Sequence, residues 1–204
     1  MPLPHLPASV GLDAELESDP AARPFLGIDR LRVRLGGDTF WYDVVRRAAI
    51  DAVAIAAHFE RAGALHVMLC SAIRLPVFWR TRDARAATLW EVPAGMVEPG
   101  ETFRQAAARE LFEEIGARVA PDALFPLGPP MHMAPGIIAE VHGYFHVAID
   151  PDALETPPGD SSPLERASVR AALPLDEALE LCASGAITDL KTEVVLRRLR
   201  EVLA

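Results

Sequence analysis

The sequence predicts a mixed α and β protein: a central mixed sheet with helices around it, and a small antiparallel hairpin ahead of it. Three stretches carry that prediction. Residues 28–35, IDRLRVRL, alternate apolar with charged side chains, the period of a strand with one face buried. Residues 48–57 and 65–71 are largely apolar and partly β-branched, the pattern of strands covered on both faces. Residues 102–115 are rich in helix formers with a helical period, opened by a turn and closed by Gly116. In a chain of 204 residues, half of them hydrophobic, this amounts to one globular domain with a short appendage.

Taken in order, residues 1–24 hold several prolines, two serines and the acidic Asp13, Glu15, Glu17 and Asp19, and read as an arm. After the alternating strand, Gly36-Gly37-Asp38 is a turn and residues 39–45 are its returning partner, so residues 25–47 make a hairpin closed by Arg46 and Arg47. The two apolar runs are separated by residues 58–63, HFERAG, read as their connection, and residues 80–87 read as a polar loop. Trp90 reads as a core aromatic. Residues 123–133 contain three prolines and read as irregular extended chain leading to an Ala134-Pro135-Gly136 turn. A strand over 141–149, a surface excursion over 151–163, a last strand over 165–172, a helix from Leu173 and a final helix capped by Thr188 or Asp189 complete the chain.

Composition narrows the function. A formal net charge of −9 argues against nucleic acid or an anionic membrane as general partner. Cys70 and Cys182 both lie in apolar or helical runs, which offers no disulfide framework and no cysteine metal spacing. The N-terminus lacks a basic start and a continuous apolar segment, so a cytoplasmic protein is expected.

The stretch GMVEPGETFRQAAARELFEEIGA, residues 95–117, carries the chemistry. Thr102 and Gln105 have the spacing of a capping box, which starts a helix close to Thr102. At about 100° per residue, Glu110, Glu113 and Glu114 fall within an arc of about 100°, while Ala108, Leu111, Phe112 and Ile115 group on the other side. Like charges at these spacings repel by a few tenths of a kcal/mol per pair, so a cation is expected among them. Hard divalent ions such as Mg²⁺ take carboxylate, water and phosphate oxygens.

Gly95, Glu101 and the run Arg109-Glu110-Leu111-Phe112-Glu113-Glu114-Ile115-Gly116 together resemble the box of the Nudix hydrolases, which split nucleoside diphosphates linked to another moiety. The resemblance implies an α/β/α sandwich over residues 48–204 and Mg²⁺, with Mn²⁺ as alternative. By the same likeness the metal ligands are Glu110, Glu113, Glu114 and the Ala94 carbonyl, and Gly95, Glu101, Arg109 and Gly116 have structural roles. Three further stretches resemble the ADP-ribose pyrophosphatase branch: Glu91-Val92-Pro93-Ala94-Gly95, the Arg and Pro of Ile73-Arg74-Leu75-Pro76, and Gly185-x-Ile187-x-Asp189-x-Lys191-Thr192. That likeness implies a homodimer formed through the hairpin. It makes Arg74, and Arg46 and Arg47 beside it, candidates for substrate phosphate, with salt bridges or solvated charge as the competing readings. It also makes Glu140, on the loop after the Pro-Gly turn, the first candidate for catalytic base, with Glu113 second. His132, His142 and His146 match no zinc spacing. The implied reaction is hydrolysis of ADP-ribose or a related nucleoside diphosphate sugar to a nucleoside monophosphate and a sugar phosphate. A UDP-glucose or GDP-mannose type of enzyme, and a sugar-nucleotide sensor without turnover, are the alternatives.

Overall fold

A computed structural model describes residues 25–158 and 163–203, so the arm expected over residues 1–24 lies outside the described residues. The hairpin is present as strands β1 (Gly27–Leu35) and β2 (Asp38–Arg46), paired antiparallel. Gly36 and Gly37, at φ 60° and 93°, make a two-residue turn whose twist matches the strands it joins. The predicted buried face is not buried by the described residues. Leu31, Val33, Leu35, Phe40, Tyr42 and Val44 share one face by register, yet Leu35 is 70% exposed and Tyr42 43%.

Strands β3 (Ala52–Arg61) and β4 (Ala64–Ile73) form the centre. The connection expected over residues 58–63 is strand as far as Arg61, because His58 to Arg61 pair with Ala64 to Val67 and only Ala62 and Gly63, both at positive φ, turn the chain. Helix α1 (Leu75–Thr81) takes the start of the segment read as a polar loop. Pro76 in its first turn, where a missing N–H costs nothing, was the available signal. Strands β5 (Thr88–Glu91) and β6 (Ala94–Met96) then lead into α2 (Phe103–Ile115).

Beyond α2 the proline-rich stretch is extended, as expected, with two-residue strands β7 (Phe125–Pro126) and β8 (Met131–His132) laid on β9 (Val141–Ala148). The last strand does not begin at Glu165: Pro163–Arg166 is a helical turn, α3, and strand β10 is Arg170–Pro174. Helices α4 (Leu175–Ser184) and α5 (Leu190–Leu203) follow. Gly185 at φ 77° ends α4, and Asp189 Oδ2 caps α5 by accepting from the Thr192 N–H at 2.9 Å.

The main sheet runs β10-β4-β3-β9-β7, with β5 beside β4, β6 beside β3 and β8 beside β9. Pairing is antiparallel except between β3 and β9, so the sheet is mixed as predicted. The two faces of β3 meet different helices. Val53, Ile55 and Phe59 pack with Leu111 and Ile115 of α2, while Ala54 and Ala56 pack with Leu179 of α4 and Val195 and Leu199 of α5. The result is the α/β/α sandwich. Leu111 and Ile115 are fully buried, each contributing about 1.5–3 kcal/mol, and they fix which side of α2 turns inward. Gly143 of β9 admits the ring of Phe103: a Cβ there would come within 2.7 Å of it.

His58 and His146 meet inside this sheet, Nε2 to Nδ1 at 3.0 Å, so one ring donates and the other accepts with both neutral. Burial, and after it the neighbouring His146, pushes the His58 pKa down to about 4, and burial also lowers that of His146. Below an unfolded value of about 6.5 the unfolded chain therefore takes up protons that the folded chain refuses, and stability falls as pH drops toward 4. Urea denaturation should show wild-type stability declining between about pH 6.5 and 4.5, above the range of most carboxylates, and a His58→Phe variant should show a flatter profile over the same window.

Candidate active site

The site is built where the chain leaves the sheet at β6 and enters α2. Gly100 at φ 91° makes the entry turn, and the Glu98 N–H donates to Glu101 Oε2 at 3.0 Å. The predicted capping box is formed on both sides: the Thr102 N–H donates to Gln105 Oε1 at 2.8 Å and the Gln105 N–H to Thr102 Oγ1 at 3.3 Å. At the other end Gly116, at φ 75°, stops the helix against the backbone of Glu155, which a Cβ would strike.

Gly95 is needed for a different reason. A Cβ on it would overlap the carboxyl group of Glu110, so only glycine lets that carboxylate lie against β6. Glu114, one turn on, accepts from the Ala94 N–H at 3.0 Å. The strand thus orients two of the three helix carboxylates, and Glu110, whose side chain is only 12% exposed, is not part of a solvated acidic face.

Arg109 lies among these groups. Its Nε and Nη2 hold both oxygens of Glu101 at 2.9 and 3.0 Å, its Nη1 contacts Glu110 Oε1 and Glu113 Oε2 at 2.8 Å each, and Nη2 also donates to Met96 O at 2.8 Å. Besides Glu101, Arg109 thus reaches Glu110 and Glu113, two of the three helix glutamates. Its hydrogen bonds hold the Glu101 carboxyl below the usual range. Among the described residues no three His, Cys, Asp or Glu side chains stand as a finished metal-binding set. The donor chemistry nonetheless suits a hard divalent ion: carboxylate oxygens on one helix face, held beside the backbone of Ala94 and Gly95.

The other candidates stand elsewhere. Glu140 accepts from Arg47 Nη2 at 2.5 Å and lies 3.3 Å from His142 Nε2, so the structure does not gather it with the α2 glutamates. Register puts His142 opposite Ala52, and Ala52 opposite Met96, so the Glu140 loop starts at the sheet end where β6 enters the box, two strands and roughly 10 Å across. Tyr42 and Val45 of β2 bond Gly136 O at 2.5 Å and Ile137 O at 2.7 Å, tying the hairpin to that loop. Arg46 pairs with Asp29 at 2.8 Å within the hairpin. Arg74 clasps Glu91 through two nitrogens, one at 2.7 Å, so the salt-bridge reading describes its contacts here. Of the histidines, His142 and His146 are buried and His132 is exposed. Trp90 is core, 6% exposed, as expected.

Sequence reasoning assigned no role to Glu91, Lys191, Thr192 or Asp51. Glu91 is buried and bonded by Arg74 and Lys191, and Thr192 Oγ1 accepts from the Val92 N–H at 2.9 Å. Asp51 joins β6 to β9, its carbonyl accepting from Val97 N–H at 2.9 Å and its carboxylate from Val141 N–H at 3.2 Å. For the first three the signal was present, since all lie in stretches resembling the same branch. A cavity of about 590 Å³ lined by Met68, Leu154, Glu155 and Arg170 lies past the C-terminal end of α2 and is not lined by the carboxylates.

The α/β/α sandwich is similar in fold to a solved protein described as an ADP compounds hydrolase. The two share 19% identity and a TM-score of 0.68 over 90% of this chain and 89% of that one, a likeness of fold. The family model of the NUDIX domain matches residues 60–191, and the chain belongs to that family. Among curated relatives, "Putative nudix hydrolase 2" of Caenorhabditis elegans is 38% identical over 69 residues, 34% of this chain and 27% of that protein. An RNA pyrophosphohydrolase of Francisella philomiragia is 52% identical over 42 residues, 21% of this chain and 26% of that protein. The matched segments thus span little more than a quarter of these relatives.

Because Arg109 serves three carboxylates and one carbonyl, its loss should be felt twice. Arg109→Ala is expected to cost about 1–3 kcal/mol, since Glu101 would keep its partly buried charge without its cationic partner, and to lower activity as well. A thermal melt beside an assay checks this, and a variant that melts like wild type while inactive would contradict it.

Proposed function

We propose that the protein hydrolyses the pyrophosphate bond of ADP-ribose or a related nucleoside diphosphate sugar, with Mg²⁺ or Mn²⁺, to a nucleoside monophosphate and a sugar phosphate. The observation that carries this is the pairing of two helix carboxylates with one strand: Glu110 packed on Gly95 and Glu114 on the Ala94 N–H. Membership of the Nudix family and fold likeness to an ADP compounds hydrolase support it.

In this reading Glu110, Glu114 and the Ala94 carbonyl hold a divalent ion, and Glu113 joins a second. What such an ion supplies when bound is a lowered pKa for coordinated water and charge compensation for the diphosphate. Arg109 keeps the helix carboxylates in register with the loop. Glu140 leaves Arg47 as the loop closes on substrate and takes the proton of the attacking water, and Glu113 is the second candidate for that task. The Arg47 guanidinium, relieved of Glu140, then faces the substrate phosphates. Arg74, whose guanidinium is bound to Glu91, supports the strand.

A second copy of the chain covers the apolar face of the hairpin, where Leu31, Leu35, Phe40 and Tyr42 are all exposed. Light scattering should give a dimer, and Phe40→Glu should shift it to monomer without unfolding the sandwich.

Substrate profiling tests the activity. ADP-ribose, UDP-glucose, GDP-mannose and nucleoside triphosphates should be assayed with and without Mg²⁺. Turnover of ADP-ribose that depends on the ion is expected, preference for another sugar nucleotide renames the substrate, and binding without turnover identifies a sensor. Glu114→Gln should reduce turnover by more than the ~10–100-fold typical of losing a group that only orients a metal ligand. Wild-type turnover in that variant removes Glu114 from the ligand set.

A further inference from the structure

The chain just ahead of Gly95 is held at each residue from Glu91 to Ala94. Glu91, 3% exposed, is bonded by Arg74 and by Lys191 of α5, and Lys191 Nζ also reaches Asp189 Oδ1 at 3.0 Å. The Val92 N–H donates to Thr192 Oγ1 at 2.9 Å. Pro93 O accepts from the Ile55 N–H at 2.8 Å, and the Ala94 N–H donates to Glu114. Thr192 is fully buried, and its hydroxyl donates to Asp189 Oδ2 at 2.6 Å while accepting from Val92. One hydroxyl therefore couples the cap of α5 to backbone two residues from the candidate ion site.

The charge pattern makes this more than packing. Burial opposes ionisation of Glu91, yet the hydrogen bonds of Arg74 and the charge of Lys191 hold its carboxyl below the usual range. An apolar contact would have stabilised the sandwich at lower desolvation cost, whereas directional bonds to Glu91 and Val92 fix where the strand lies along its own axis. We propose that Lys191 and Thr192 are positioning residues for the candidate ion site: they fix Glu91 and Val92, and so set the backbone of Ala94 against which Glu114 is oriented. This rests on the proposed ion-binding role of Ala94 and Glu114. A purely stabilising role would lower the melting temperature and leave ion affinity alone, whereas a positioning role moves the affinity.

The test is Mn²⁺ binding followed by electron paramagnetic resonance, beside the Mg²⁺ half-saturation of turnover, in wild type, Thr192→Val, Thr192→Ser and Lys191→Gln. Thr192→Val, which keeps shape and loses the hydroxyl, should weaken Mn²⁺ binding about tenfold and raise Mg²⁺ half-saturation in step, within the ~10–100-fold range for groups that orient ligands. Thr192→Ser should restore both to within about twofold. A folded Thr192→Val with wild-type Mn²⁺ affinity overturns the proposal. If that variant does not fold, Lys191→Gln decides: Arg74 still pairs with Glu91 and the Thr192 hydroxyl is kept, so weakened Mn²⁺ binding supports the role and unchanged affinity overturns it. Wild type that neither binds Mn²⁺ nor turns over any diphosphate with Mg²⁺ overturns the ion-site reading itself, and this inference with it. An active, ion-binding wild type with unaffected variants overturns the positioning role alone.

Discussion

The approach of Glu110 to a glycine backbone is the constraint on which the rest of the structure depends. A carboxylate can lie against β6 in this way only because residue 95 has no side chain. Leu111 and Ile115, fully buried on the opposite side of the helix, leave α2 no freedom to rotate away. Holding several like charges in one place is unfavourable in itself, and Arg109 offsets it by engaging Glu101, Glu110 and Glu113 together. Packing and electrostatics thus specify the same orientation of the helix.

A second polar centre lies under the first. Glu91 at the end of β5 is bonded by Arg74 from the end of β4 and by Lys191 from α5, 100 positions further along the chain. Buried charges of this kind are costly unless each is paired and hydrogen-bonded, and here they are. Together with the Thr192 hydroxyl on Val92, they join α5 to the strand that feeds the box. The hairpin is different in kind: its pairing is complete, but among the described residues most of its apolar face is left exposed.

Much of this was legible beforehand, for local reasons. The strand over residues 28–35, the turn chemistry of Gly36-Gly37, the Thr102–Gln105 capping box and the stop at Gly116 are decided by side chains a few positions apart and appear as read, save that the strand's expected buried face is exposed. One error fell where distant pairing overrides local composition. His58 to Arg61 look like a polar connection, yet β4 lies alongside and makes them strand. Residues 80 and 81, read as the start of a polar loop, instead end α1, and there the missed signal was local, Pro76 in the first turn of that helix.

The sequence by itself determined the family and the helix with its three glutamates, because spacing along the chain suffices for each. Only the tertiary structure decided that Arg109 reaches Glu110 and Glu113 as well as Glu101, that Arg74 binds Glu91 and Arg47 binds Glu140, and that Lys191 and Thr192 reach across to the strand before Gly95. An arginine presents the same charge to any carboxylate within reach, and nothing in the order of residues states which one the folded sheet will bring beside it.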